Sequence, residues 1–197
     1  MKTITHNLVD FIYQNKDIDE DSRKIYEYGA EAFLSSVIDI IITIIIGLCF
    51  GQVWQALLYI IVFFAYRQYS GGYHANSHFM CKSCGIILLL SVMILLKNFN
   101  AEFFKYFLFA GFTFSFFTAF IFAPVEHHNK PLTEQHKRKA KKICIILNTF
   151  GFFICVALSF SSLTFAMMIL CAFTNASFLI IVAKIINSRE NIQNEKF

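Results

Sequence analysis

Proline and glycine are scarce in this 197-residue chain, at 2 and 8 residues, and only 15% of its residues are charged, where a soluble domain carries nearer a quarter. Collagen-like and disordered chains are excluded by that composition. No basic face with interleaved aromatics occurs, so nucleic acid is not an expected partner. The cysteines do not form a secreted disulfide framework either. Four of the six (Cys49, Cys144, Cys155 and Cys171) lie within or beside apolar runs and read as buried thiols. The first apolar run of useful length starts near Ala32, after acidic residues between Asp10 and Glu27, so the N-terminus does not read as a signal peptide. With no internal repeat and no separate soluble domain, 1–197 is expected to be a single integral membrane domain.

What the chain does have is apolar surface. Hydrophobic residues make up 57% of it, 25 of them Phe, and the mean hydropathy is +0.58. A fold this short could not hide that much apolar surface in one water-surrounded core. Six apolar segments can be drawn: Ala32–Phe50, Val53–Tyr66, Cys84–Leu96, Phe103–Val125, Ile143–Phe160 and Leu163–Ile186. Four reach the roughly 20 residues that a membrane-crossing helix needs. The second and third are short and could cross or re-enter. The expected fold is therefore an all-α, polytopic membrane helical bundle with four long spans and two short apolar segments. The ten Phe between Phe103 and Phe122 are spread around their helix, which suits lipid contact and packing.

Whether the short pair crosses or not, both termini fall on one side. Assigning every loop accordingly puts all of the 17 Lys and Arg except Lys97 and Lys105 on that same side. Basic loops stay in the cytoplasm, so both termini of this multi-pass membrane protein are expected there. Within 1–28, Ile4, Leu8, Phe11 and Ile12 recur at helical spacing among polar residues. That pattern predicts an N-terminal interfacial amphipathic helix.

Chemistry-bearing residues crowd the segment between the two short arms, 67–83 and the adjoining Cys84, which reads RQYSGGYHANSHFMCKSC. Three readings compete. One is a Cys/His nucleophilic pair, in which an imidazole generates the thiolate. Another is a zinc site, since His74, His78, Cys81 and Cys84 are all residue types that zinc accepts. The last is structural, with interfacial histidines and inert thiols. On one straight helix Cys81 would lie about 10 Å beyond His74, too far for a hydrogen bond of about 3 Å. A His74–Cys81 pair therefore requires a bend or a dimer interface. Four zinc ligands strung along one helix would have the same difficulty in worse form.

Two further features stand out. The stretch 126–142 is expected to be a basic cytoplasmic loop, held by Pro124 and Pro131 and carrying Lys130, Lys137, Arg138, Lys139, Lys141 and Lys142. These cations either set orientation or attract an acidic substrate segment. Asp39 lies inside the first span, where a carboxylate is costly. It reads either as a group orienting a catalytic imidazole, in a polar pocket shared with Asn148, or as a structural helix–helix hydrogen bond.

The run Arg67-x-x-Ser70-Gly71-Gly72-Tyr73-His74-Ala75, followed by Cys81, resembles the signature of the accessory gene regulator B family, membrane peptidases of Gram-positive quorum sensing. Ala123-Pro124, with Asn129-Lys130-Pro131 and the basic run after it, is similar to a second feature of that family. The resemblance covers nearly the whole chain. It implies a cysteine endopeptidase with His74 and Cys81 catalytic, Arg67 and Gly72 supporting them, and basic residues near Lys130 needed for processing. It implies no cofactor and no metal. The implied partner is an AgrD-like propeptide with an acidic C-terminal tail, cut through an acyl-enzyme thioester that then closes to a thiolactone. It also suggests a homodimer. His78 and Cys84 are not part of the signature. A rival from another class, a small peptide transporter or exporter, would need a polar stripe through several spans, and only Asp39, Asn148, Asn175 and a few hydroxyls offer one.

Overall fold

The computed structural model describes residues 20–71, 78–125 and 133–194. They form six α-helices: α1 (Glu20–Phe50), α2 (Val53–Ser70), α3 (His78–Asn98), α4 (Phe104–Phe122), α5 (Glu134–Ser159) and α6 (Leu163–Asn194). A short 3-10 turn over Ala101–Phe103 leads into α4, with the Asn100 side chain accepting from the Glu102 N–H at 3.0 Å. Among the described residues there is no strand, and one isolated bridge pairs Gly71 with Val125. Stretches of α1, α4, α5 and α6 are long and apolar enough to cross a membrane. The expected all-α membrane bundle is what the chain forms.

The chain divides into two compact units after Ile42. The first is the N-terminal part of α1. Helix is already established at Glu20, so 20–28 continue directly into the first apolar segment. Arg23 and Glu27 pair at 3.3 Å, four residues apart, a surface contact worth a few tenths of a kcal/mol. Asp39 is half-buried on this helix. The predicted amphipathic positions Ile4, Leu8, Phe11 and Ile12 lie outside the described residues.

The second unit is built around α6. Ala166 through Phe173 are buried without interruption, as expected of a central helix that is apolar on every side. It packs chiefly against α2, α4 and α5. Two glycines allow the close approach that membrane helices use. A Cβ on Gly111 would come within 2.7 Å of Leu170 Cδ1, and one on Gly151 within 2.4 Å of the Phe173 ring. Outward faces carry Phe107, Phe109, Phe116, Phe117, Phe150 and Phe153, apolar surface that a bilayer can accept. Cys144, Cys155 and Cys171 are buried as expected. Cys49 departs from the expectation and is exposed, because the last turn of α1 presents it away from the packed faces.

The helix path places the motifs. At one end α1 stops at Gly51, whose φ of +69° ends the helix. There Gln52 N–H donates to Gly47 O at 2.8 Å and Gly51 N–H to Leu48 O at 3.1 Å, the paired closure of a left-handed glycine cap. From that turn α2 runs the length of the bundle to Ser70, α3 returns from His78 to Asn98, and α4 runs back to Phe122, where Val125 N–H bonds Ser70 O. Both short segments run as helices of 18 and 21 residues, about 27 and 31 Å long. Their apolar runs are shorter than the helices because Arg67–Ser70 and His78–Ser83 continue the same hydrogen-bonding pattern with polar side chains.

Candidate functional site

At one end of the second unit the end of α2 meets the segment after α4, through Val125 N–H to Ser70 O, and the first turns of α5 lie against the end of α4. Arg67 lies in the last turn of α2, half-buried, with its guanidinium 5.8 Å from the Phe63 ring centroid. Helix α2 closes with Gly71 N–H donating to Arg67 O at 3.1 Å. Ser70 is fully buried, and its hydroxyl donates to Gly71 O at 3.2 Å. Gly72 and His74 lie outside the described residues. Cys81 falls in the first turn of α3, which begins at His78. The side chains of His78 and Cys81 lie outside the description. Cys84 is a half-buried free thiol one turn further on.

The segment between α2 and α3 is thus shorter than the expected 67–83 loop, because Arg67 and Cys81 both sit on helices. With His78 and Cys84 six positions apart on α3, their backbones are separated by about 9 Å of helix rise. Zinc bonds of about 2.0–2.3 Å do not suit that spacing. Among the described residues no group of three or more His, Cys, Asp or Glu is placed to hold a metal ion.

The basic run also differs from a loop. Helix α5 begins at Glu134, so Lys137, Arg138, Lys139, Lys141 and Lys142 occupy its first turns. Pro131 precedes the helix, Thr133 takes the cap position, and Glu, Gln, Lys, Arg and Ala are all good helix formers. Lys137 pairs with Glu134 at 2.9 Å. Lys141 lies 4.9 Å from the Phe120 ring centroid, against the end of α4. Arg138, Lys139 and Lys142 are exposed. Lys130 lies outside the described residues.

Beneath this end lies a polar cluster that only partly matches the expected pocket. Asn148 Nδ2 donates to the Tyr66 hydroxyl at 2.8 Å and to Cys144 O at 3.2 Å, and its Oδ1 accepts from Ser115 at 2.7 Å. Since the single Ser115 proton goes to Asn148, Ser177 donates to Ser115 across 2.8 Å. All four residues are buried, and they come from α2, α5, α4 and α6. Both amide hydrogens of Asn148 are committed within this cluster. Tyr66, Ser115 and Ser177 were not legible as a group, since each is an ordinary polar residue in an apolar helix. The cluster fixes the last turn of α2, one residue ahead of Arg67. Asn148→Leu should lower stability by about 1–3 kcal/mol by leaving Tyr66 and Ser115 short of partners, read as an earlier midpoint in detergent unfolding.

A profile of the accessory gene regulator B family matches residues 5–188. An AgrB-like protein of Clostridium perfringens (strain SM101) is 36% identical over 142 residues, covering 69% of this chain and 66% of that relative. AgrB-like protein 2 of C. perfringens strain 13 is 32% identical over 160 residues, covering 78% of this chain and 75% of the relative. Protein FsrB of Enterococcus faecalis is 23% identical over 96 residues, covering 46% of this chain and 40% of FsrB. The chain thus spans about two thirds to three quarters of the length of the first two. No solved structure matches.

Proposed function

Because the chain belongs to the accessory gene regulator B family, we propose that it is a membrane cysteine endopeptidase of quorum sensing. It removes the acidic C-terminal tail of an AgrD-like propeptide and supports closure of the remainder to a thiolactone. What supports this reading is that the motif-bearing end of α2 meets the segment after α4 through the hydrogen bond from Val125 N–H to Ser70 O, while Lys141 lays the basic turns of α5 against the end of α4. The distribution of basic residues supports assigning that end to the cytoplasm, where a newly made propeptide is.

The steps follow from the residue types. His74 takes the thiol proton of Cys81. The N-terminal end of a helix favours negative charge, and Cys81 sits in such a turn. The thiolate attacks the carbonyl carbon of the scissile peptide bond. The imidazolium gives its proton to the departing amine, and the acidic tail leaves. Cys81 is then joined to the signal segment as a thioester. A cysteine thiol within that segment, deprotonated by His74, attacks the same carbonyl, expels the Cys81 thiolate and closes the ring. Thioester replaces thioester, so activation is retained that water would discharge, and a water-poor surface site favours this course. Arg67 and backbone N–H groups near Gly72 are the candidate donors to the oxyanion. Asp39 is assigned to orienting the imidazole, and Asp39→Asn should then slow turnover at saturating substrate. Arg138, Lys139 and Lys142, with Lys130, Lys137 and Lys141, attract the acidic tail.

The transporter alternative finds less support. Two open crevices, of about 400 and 530 Å³, are lined largely by apolar side chains, among them Phe109, Phe116 and Phe153 in one and Trp54, Ile61 and Phe165 in the other. The decisive experiment is to incubate the purified protein with a candidate propeptide, quench in acid and map the adduct. A mass increase equal to the propeptide without its tail, carried on Cys81 and removed by hydroxylamine, is expected. Tail removal without any such adduct would overturn the covalent route.

A further inference from the structure

The junction between Gly71 and Val125 joins two segments that the function above uses separately. Gly71 has φ +69° and ψ −151°, a backbone region left essentially to glycine. A Cβ built on it would lie 2.4 Å from Val125 O and 3.1 Å from Val125 N, so space alone would also exclude a side chain. The neighbouring Val125 N–H donates to Ser70 O at 3.1 Å. On one side, α2 is held below this junction by the tie from Tyr66 to Asn148, and His74 follows Gly71 by three positions. On the other side, Val125 follows the end of α4, against which Lys141 holds the basic turns of α5. One side-chain contact, Lys141 on Phe120, and one backbone hydrogen bond, Val125 N–H to Ser70 O, thus link the basic turns of α5 through α4 to the last turn of α2.

We propose that Gly71 is a positioning residue: its backbone contact with Val125 sets the spacing between the tail-binding face of α5 and the His74–Cys81 pair, so that a docked tail presents its scissile bond to the thiol. This rests on the peptidase reading. It concerns Gly71, whereas the family resemblance assigns the following glycine, Gly72. A side chain at position 71 would push the 123–125 segment away and misplace a substrate that still binds.

The experiment compares Gly71→Ala with the parent protein in nanodiscs. Nitroxides are introduced at the exposed Gln68 and Gln135 through a bio-orthogonal side chain that leaves the native cysteines intact. In Gly71→Ala the distance distribution between the two labels should shift and broaden. Propeptide affinity and the rate of Cys81 alkylation by iodoacetamide should stay at the parent values, while acyl transfer to Cys81 falls about 100-fold, the usual cost of misplacing reacting groups by about 1 Å. An unchanged label distance, or acyl transfer at the parent rate, would overturn the proposal. If Gly71→Ala is not recovered from membranes, Val125→Pro carries the same expectation, because it deletes the N–H donor. Val125→Ala keeps that donor and should match the parent. Full acyl transfer in Val125→Pro would also overturn the proposal. Should the parent itself form no acyl adduct, the peptidase reading fails, and the label distances still decide whether the junction sets the spacing.

Discussion

Cys81→Ala is expected to reduce cleavage of the propeptide below about one ten-thousandth of the parent rate, the scale of losses seen when a covalent nucleophile is deleted. His74→Ala should fall to a similar level, because an imidazole that no longer takes the proton leaves the thiol largely un-ionised at neutral pH. The double variant should be no worse than either alone, since the two groups act as one unit. Helix α3 begins at His78 and Cys81 lies on it, so replacing one thiol by a methyl should leave insertion and expression unchanged. Cys84→Ala and His78→Ala should retain most activity. That contrast separates the dyad from a metal site, in which all four replacements would fail together with loss of a stoichiometric ion. Ring formation that persists in Cys81→Ala, measured by mass spectrometry of the released peptide, would end the covalent reading.

Reversing charge on the exposed face of α5, with Arg138, Lys139 and Lys142 all changed to Glu, should weaken propeptide binding by about 100-fold at low ionic strength. Three attractive interactions with an acidic tail become repulsive, and exposed charges interact at about 1 kcal/mol or less each in water. The loss should shrink at high salt, as the Debye length falls from about 10 Å at 0.1 M to about 3 Å at 1 M. Turnover of propeptide that is already bound should change little, because these side chains lie on α5 and not in the reactive segment. Nor should the bundle lose stability. The three residues are exposed on α5, and surface substitutions usually change stability by about 0.5 kcal/mol or less each. Binding measured by fluorescence anisotropy across a salt series, alongside single-turnover cleavage, distinguishes this from a loss of fold. An equal loss in binding at low and high salt would remove the electrostatic role.

Much of the architecture was legible because the bilayer constrains the chain so strongly. A long apolar run with no water to satisfy its backbone has to be helical, so Phe103–Val125, Ile143–Phe160 and Leu163–Ile186 mark the places of α4, α5 and α6, though α5 begins nine residues earlier and α6 runs eight residues further. Boundaries were less legible where polar residues continue a helix. The basic run after Thr133 looks like a loop by charge, but its residues are strong helix formers. The start of α3 at His78 had an available signal in Asn76 and Ser77, both N-capping residue types. The polar cluster was half legible: Asn148 stood out as an amide in an apolar helix, whereas the hydroxyls that satisfy it did not.

By itself the sequence determined the membrane class, the long apolar segments, the clustering of basic residues between them and the reactive residue types of the 67–84 segment. Each of these follows from composition and near-neighbour spacing. Only the tertiary structure decided that α6 is the central helix, that Tyr66, Ser115, Asn148 and Ser177 share their protons, and that Gly71 meets Val125. Those facts depend on which residues of distant segments come into register when helices pack, and the periodicity of one helix carries no information about the register of another.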